Sequence, residues 1–473
     1  MSFFYKKKLS SKIDTKITMP FFKKALFAIL PVAFQSFIEV AITIIDTLLV
    51  GNTNDAATNI QAIGSVNAIF YVYFSILIGL LNGTGIFVTQ FFGAKKFKEM
   101  RYVIRYRIFI SILFYLFYLL LIFSATNFLI NLTLHNNDPS NVLPHARKYL
   151  FLNSISYGFV ALSFAIHWTL RDTKRLNIPF YVSVWNLIVK VCLSLVLVYI
   201  FNLGILGISY TNIVVRVLEF LMLLFIINYK KFEFNYQLWN IFGFTKKTLI
   251  DVNRRTWIFT LNEVLWSTSI LLQIFSFTLL KHNDQIIQSV QISFTIIDLA
   301  FAAIFGISGG ISTLVGIKLG ENKLDEAFSN SLKLNKIGFY IAICMGSILI
   351  ISSPFVAFVL FSKVSHQVKI DIICLLIIDG LCLPLFSAAY CHFFTIRLGG
   401  DTKSILLMDG TYSIFIVSTL NIALCYLTSI EVINLSFISI YVIVYLVISF
   451  KTFITTKMYY KKKWLKNLTN INY

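Results

Sequence analysis

From residue 25 to residue 456 the chain alternates between long apolar runs and short polar breaks. The runs fall at 25–50, 58–91, 103–131, 148–170, 178–201, 204–228, 256–280, 286–317, 335–362, 370–395, 404–428 and 431–456. Each is about 20 residues or more, the length an α-helix needs to cross a hydrocarbon core of about 30 Å. The pattern therefore predicts an all-α integral membrane protein with twelve transmembrane helices and no large soluble domain. The first run is too long for a signal peptide, lacks a small-residue cleavage site and is followed by many like it, so it is expected to stay attached.

Composition agrees. Of 473 residues, 58% are hydrophobic and only 13% charged, too few polar groups to cover a soluble globule of this size. The formal net charge of +20 invites a nucleic-acid reading, which the placement of the basic residues opposes. One set of connections carries Lys6, Lys7, Lys8, Lys12, Lys16, Lys23 and Lys24, then Lys95, Lys96, Lys98, Arg101, Arg105 and Arg107, then Arg171, Lys174 and Arg175. It continues through Lys230, Lys231, Lys246, Lys247, Arg254 and Arg255 to Lys318, Lys323, Lys333, Lys336, Arg397, Lys403 and Lys451, and ends in the basic tail from Lys457 to Lys466. The alternate connections hold only Arg147, Lys148, Lys281, Lys363 and Lys369. The positive-inside rule then puts both termini in the cytoplasm, which requires an even number of spans. The basic charge serves topology and anionic headgroups, and no nucleic-acid partner is expected. The six cysteines all lie in apolar runs with no CxxC pair and imply neither disulfide nor metal.

The chain also repeats itself. An offset of 227 residues brings Gly79, Gly83 and Gly93 onto Gly306, Gly310 and Gly320, Gln61 onto Gln288, Phe74 onto Phe301, Lys96 onto Lys323, Glu99 onto Glu326, and Gln35 onto Asn262. At an offset of 226, Arg171 meets Arg397, and an Asp-Thr-Lys follows each arginine. Six spans per half make this a parallel repeat with its pseudo-two-fold axis along the membrane normal. The expected organisation is a basic segment 1–24, a six-helix lobe 25–228, a linker 229–255 on the membrane surface, a second lobe 256–456 and a basic tail 457–473. The pairs Gly79-x3-Gly83 and Gly306-x3-Gly310 predict close helix packing.

The first span reads Leu30-Pro31-x3-Gln35-x10-Asp46-Thr47-Leu48-Leu49-Val50-Gly51, and the second closes with Gly79-x3-Gly83-Thr84-Gly85-x4-Gln90-x2-Gly93-Ala94. With Arg397-Leu-Gly-Gly-Asp-Thr-Lys403 and Gly204-Ile-Leu-Gly207-Ile208, these motifs resemble, in order and over nearly the whole chain, those of the MATE (multidrug and toxic compound extrusion) family. The resemblance implies an antiporter of two six-helix lobes, alternately open to either side, that extrudes cationic or amphiphilic compounds in exchange for protons or sodium. No cofactor is implied beyond that coupling ion, nor any partner beyond the substrate and the bilayer. A monomer in a prokaryotic plasma membrane is expected.

A charge at mid-bilayer costs about 2.5 kcal/mol or more, so ionisable residues inside spans are functional candidates. Seven acids (Glu39, Asp46, Glu219, Glu263, Asp298, Asp379, Asp409) stand against two bases (Lys190, Arg216), leaving carboxylates to bind cations. Asp46 leads: it lies two turns beyond Glu39 on one helix face and occupies the position of the family's first-helix acid. Gln35 precedes both on that helix. The fifth span departs from the family pattern, in which the proton-coupled branch carries Asn near 190 and an acid near 194, whereas Lys190 and Ser194 stand here, with Asn186 a turn earlier. Lys190 either pairs with Asp46 or Glu39, in a bridge that substrate or ion breaks, or itself exchanges a proton. The resemblance suggests a further cation site between the seventh and tenth spans, with Asn262, Glu263 and Asp379 as candidates. Arg216 and Glu219, at i and i+3, read as an ion pair holding the sixth span. Asp298 has no assigned role, and Asp409 reads as a cap or a hydrated group at the start of the eleventh span. His167 and His392, each about a turn before the paired arginines, read as interfacial. The 47 Phe and 23 Tyr suit an apolar cavity for flat amphiphiles as well as a lipid-facing surface.

No Walker-type nucleotide motif and no HExxH or comparable catalytic constellation occurs, which argues against a primary pump or an intramembrane enzyme; the chain is not expected to be an enzyme. The nearest rival function is a flippase for a lipid-linked saccharide or similar amphiphile, which Lys190 and Arg216 favour and the acid excess opposes. A non-transporting scaffold leaves the repeat and the buried acids without a use.

Overall fold

The computed structural model describes residues 15–50, 56–133, 139–234, 246–281, 283–362 and 364–469. Lys6, Lys7, Lys8, Lys12, Gly51, Lys363, the middle of the expected linker and the end of the tail lie outside them. The described residues are helical, with no strand among them. Twelve helices are long and apolar enough to cross a membrane: α1 Met19–Val50, α2 Thr58–Gly93, α3 Phe97–Asn131, α4 Val142–Asp172, α5 Asn177–Ile200, α6 Gly204–Lys230, α7 Ile250–Phe277, α8 Asp284–Gly320, α9 Leu324–Leu360, α10 His366–Leu398, α11 Thr402–Ser429 and α12 Phe437–Tyr460. Lipid leaves no partner for a bare peptide group, which is why the spans are helices, whose backbone hydrogen bonds close largely within the segment.

Several helices outrun their apolar runs. α9 begins at Leu324, eleven residues before the apolar stretch, because apolarity marks only the part of a helix that needs lipid and its polar first turns are still good helix formers. Helix starts are instead marked by caps: Ser436 accepts from the Ser439 amide at 3.2 Å, which moves the start of α12 from 431 to 437, and Asp401 accepts from the Ser404 amide and hydroxyl at 3.4 and 2.8 Å. Arg107 and Lys451, counted above among the connections, lie inside α3 and α12; Arg107 is fully buried.

The chain packs as two units. One comprises residues up to 33, 89–96 and 268–472; the other comprises 34–88 and 97–267. The repeat is visible in the packing inside each. In the second unit a Cβ on Gly79 would lie 2.6 Å from the Thr260 Cα, and one on Gly83 would lie 2.5 Å from the Thr256 Cα. In the first unit a Cβ on Gly306 would lie 2.6 Å from the Ala33 Cβ and 2.8 Å from the Ile29 carbonyl oxygen. Ala33 and Ile29 are Thr260 and Thr256 less 227, so one contact is made twice, each time between a glycine face and a helix that approaches to backbone distance.

The helix ends repeat as well. Lys95 and Asn322, 227 apart, both take positive φ (59° and 61°), and the next amides, Lys96 and Lys323, each donate back to a carbonyl five residues earlier at 3.0 Å. This is a Schellman stop, which returns orphaned carbonyls to a partner. Lys174 and Gly400, 226 apart, do the same for α4 and α10 (φ 64° and 66°). Beside them the Arg171 guanidinium lies 4.7 Å over Trp168 and that of Arg397 4.9 Å over Phe394, again 226 apart.

The second unit carries one fully buried cation with no counterpart in the repeat. Arg107 donates to Thr84 Oγ1 at 2.8 Å, Thr169 Oγ1 at 2.9 Å, the Leu81 carbonyl at 3.3 Å and Asp172 Oδ2 at 2.7 Å. A Cβ on Gly85 would crowd Asp172 and Arg107 at 3.0 and 3.2 Å, which accounts for the Gly-Thr-Gly run at 83–85.

Gly79→Ala must push α7 away, and is expected to cost about 1–3 kcal/mol, whereas Gly64→Ala, with nothing within 4 Å of the new Cβ, is expected to be neutral or to stabilise its helix slightly. Thermal unfolding of the two purified variants checks this; equal midpoints would refute the close-packing account.

Candidate functional site

The interior of the second unit is polar. On α5 the residues Ser183, Asn186, Lys190 and Ser194 recur at helical spacing and are all buried, forming one polar stripe on an otherwise apolar helix. α1 contributes Gln35, Glu39 and Asp46, also on one face. α4 contributes Asn153 and His167, and α6 contributes Asn212, Arg216 and Glu219.

Two linked groups form. In the first, Lys190 Nζ lies 2.8 Å from Asp46 Oδ2, with only 4% and 6% of the two residues exposed. The same ammonium donates to Asn212 Oδ1 at 2.7 Å; Asn212 Nδ2 donates to Asn153 Oδ1 at 2.9 Å, and Asn153 Nδ2 donates to Ser209 Oγ at 3.1 Å. Four helices thus converge on one ammonium. In the second group, Arg216 lies 2.8 Å from Glu219 and 3.5 Å from Glu39. Glu219 Oε1 is 3.4 Å from His167 Nε2, and Gln35 Nε2 donates to His167 Nδ1 at 2.9 Å. The His167 ring thus spans from the Gln35 amide at Nδ1 to the Glu219 carboxylate at Nε2. Phe164 stacks on the His167 ring at 5.7 Å and carries the Arg216 guanidinium at 5.9 Å.

Three carboxylates face two cations here. Asp46 Oδ1, Asn186 Oδ1, Ser183 Oγ, Gln35 Oε1 and Glu219 Oε1 are buried and have no hydrogen-bond partner among the described residues. These oxygens leave unused acceptor capacity beside the two cations.

The other candidates are placed separately. His167, read from sequence as interfacial, is fully buried between Gln35 and Glu219; apolar flanks and a nearby arginine did not reveal the polar helices around it. Asn262 is buried and Glu263 half-buried on α7 in the second unit, Glu263 lying beside Gly79 of α2. Asp379 belongs to the first unit, fully buried, and accepts from the Tyr441 hydroxyl at 3.0 and 3.2 Å; Tyr441 stacks on Tyr445 at 4.2 Å. Glu263 and Asp379 are thus assigned to different units. Asp298 is exposed. Asp409 forms an ion pair with Lys451 at the point where α11 leaves helical geometry (φ −119°, ψ −79°). His392 meets Thr456 at 3.4 Å and lies tilted against the Tyr459 ring at 4.6 Å.

The structure adds Asn212, Asn153 and Tyr441, which sequence reasoning missed. Asn212 stands four residues before Arg216, on the same helix face, so that spacing was a usable signal; Tyr441 had none. The repeat sharpens the contrast between units: Asp46 plus 227 is Gln273, a neutral residue that donates to Ser269 and whose carbonyl accepts from Asn421 at 3.2 Å. The charged version of this position exists only in the second unit.

Among the described residues, twelve helices long and apolar enough to cross a membrane define a multi-pass membrane protein. Residues 31–196 match the MatE family model. The probable multidrug resistance protein YoeA of Bacillus subtilis (strain 168) is 24% identical over 176 residues, 36% of this chain and 37% of that protein, so the sequence match spans little more than a third of the curated relative. The likeness in fold is fuller. A MOP superfamily transporter from Pyrococcus furiosus Vc1 (DSM3638) aligns with a TM-score of 0.83 at 15% identity over 93% of this chain and 95% of that one. The Vibrio cholerae MATE transporter VcmN in the bent form aligns with a TM-score of 0.78 at 13% identity over 94% and 97%. Together with the family-model match over residues 31–196, these likenesses show that the chain has the twelve-helix fold of the MATE transporters.

Removing one partner of a buried pair strands the other, so Lys190→Ala is expected to destabilise the protein by about 3–5 kcal/mol. The double variant Asp46→Asn, Lys190→Ala is expected to lose less than the sum of the two single changes. Thermal unfolding of all three variants measures the coupling, and strictly additive losses would show that the two charges do not depend on each other.

Proposed function

We propose that the protein is a secondary active antiporter that exports cationic or amphiphilic small organic molecules in exchange for protons or sodium by alternating access. In this reading it works as a monomer in the plasma membrane with both termini in the cytoplasm. The observation that carries the proposal is the Lys190 ammonium seated on Asp46 among buried, unpartnered oxygens. That ammonium stands where a mobile cation would bind. It is tethered, so it can yield Asp46 to an incoming cation and keep Asn212 as a partner, then return when the cation leaves. One carboxylate then alternates between an internal and an external cation, which is the elementary step of exchange. Glu39, half-buried, 3.5 Å from Arg216 and one turn beyond Gln35, supplies a second carboxylate on the same face of α1. The fold and the MatE domain support the transport class.

A second reading has one observation in its favour. Two of the buried charges, Lys190 and Arg216, are cations, which suits the anionic headgroup of a lipid-linked substrate. The Pyrococcus furiosus protein is described as having a binding pocket of reverse polarity that suggests a different function. Here acids outnumber bases in the network, and the exporter reading stands first.

Purified protein in liposomes loaded with a fluorescent cationic dye, under an imposed proton or sodium gradient, tests this. Gradient-driven efflux is expected from the native chain, and Asp46→Asn and Glu39→Gln are each expected to bring it to the rate of protein-free liposomes. Efflux under neither gradient, with movement of a fluorescent lipid instead, would favour the second reading.

A further inference from the structure

Gln90 belongs to the glycine-rich motif closing α2, yet it has no place in the polar network above. It lies in the first unit with residues 89–96, fully buried. Its surroundings are reciprocal. A Cβ on Gly93 would overlap the carbonyl oxygen of Ile317, and a Cβ on Gly320 would overlap the carbonyl oxygen of Gln90. Ile317 and Gly320 are Gln90 and Gly93 plus 227, so the ends of α2 and α8 cross at equivalent points, each glycine receiving the other helix's backbone.

The segment after α12 lies across this crossing. Leu468 donates its amide to Gln90 Oε1 at 2.7 Å, while Gln90 Nε2 donates to the Leu398 carbonyl at 2.7 Å. Asn467 Nδ2 donates to the Gly320 carbonyl at 3.1 Å, and Lys96 Nζ donates to the Thr469 carbonyl at 2.7 Å. Asn467 Oδ1 accepts from both the amide and the hydroxyl of Thr469, at 2.8 and 2.7 Å, which folds the segment into place. Upstream, Trp464 is fully buried, stacked on Tyr459 at 5.5 Å and near Phe328 at 6.2 Å, with its backbone carbonyl against Gly399. Gln90 and Lys96 come from the α2 side of the crossing and Gly320 from the α8 side. The strap therefore holds both, and the two helix ends cannot part while its bonds remain.

We propose that residues 464–469 are a latch across the crossing of α2 and α8, and that the strap must lift for these helix ends to separate. The segment has the character of a releasable element. It is short, lies outside the helices, is held by the buried Trp464, Leu468 and Thr469 and a handful of hydrogen bonds, and follows the exposed Lys461 and Lys463. The latch rests on the alternating-access reading only for the purpose of the opening.

Two measurements on the full-length protein test it. Hydrogen exchange in lipid nanodiscs should show 464–469 protected in concert with 90–96 and 317–320. Trp464→Ala, and the milder Asn467→Ala, should raise exchange in all three segments by about tenfold or more. Joining Lys96→Cys to Thr469→Cys with a reducible bifunctional maleimide should stop gradient-driven dye efflux, and cleavage of the linker should restore it, with the unsubstituted chain treated identically as control. Exchange at 464–469 as fast as at Lys461–Lys463, independence of the three segments, or full efflux from the linked protein would overturn the latch. If the unlinked protein moves no dye, the transport reading fails, and the exchange result still decides whether the strap and the helix ends open together.

Discussion

An ammonium and a carboxylate taken out of water each give up several kcal/mol of hydration, by order of magnitude, and their mutual attraction returns this only where geometry is good and remaining donors find acceptors. Lys190 and Asp46 meet those terms in part. Contact is close and Asn212 takes a second N–H of the ammonium, itself braced by Asn153, but Asp46 Oδ1 stays without a hydrogen bond among the described residues. The pair is thus well held on the ammonium side and leaves one carboxylate oxygen with unused acceptor capacity. The surrounding architecture serves this balance: α1, α4, α5 and α6 must present charged and amide side chains inward without exposing backbone to lipid, and helices closed on themselves do that.

The glycine contacts set the frame. Because lipid is as apolar as leucine, helices in a membrane gain little by hiding apolar surface from one another, and backbone-distance packing at small residues holds them instead. The repeat conserves this packing, the Schellman stops and the guanidinium–aromatic contacts at constant offset. The charges follow another rule. Asp46 becomes Gln273 and Arg107 becomes Leu334 at the same offset. The repeat thus keeps the scaffold's contacts while the charges differ between the units: Asp46 and Lys190 stand in the second, and Asp379, held by Tyr441, is a separate carboxylate in the first.

Much of this was legible from residue order. Twelve spans follow from apolar length, and the correspondence of Gly79 with Gly306 predicted repeated close contacts that the structure contains. Helix ends were less legible: the start of α9 at Leu324 lies where polar residues continue a helix beyond lipid, and that of α12 is set by the Ser436 cap. Asp46 and Lys190 were named as candidates from the cost of burying charge, but the choice between Asp46 and Glu39 as partner of Lys190 depends on the depth at which α5 lies against α1, which periodicity does not resolve. The burial of His167 and the docking of Trp464 depend on contacts over 52 residues or more, such as His167 with Glu219 and Leu468 with Gln90, for which local pattern holds no signal.

The central claim is that Lys190 competes with mobile cations for Asp46. Fluorescence titration of a cationic dye onto purified Lys190→Gln, against the native chain, tests it most directly. With the tethered ammonium gone and the carboxylate retained, dye affinity should rise by about tenfold, equivalent to about 1.4 kcal/mol, and the gain should vanish when Asp46→Asn is added. Unchanged or weaker binding by Lys190→Gln would contradict the account.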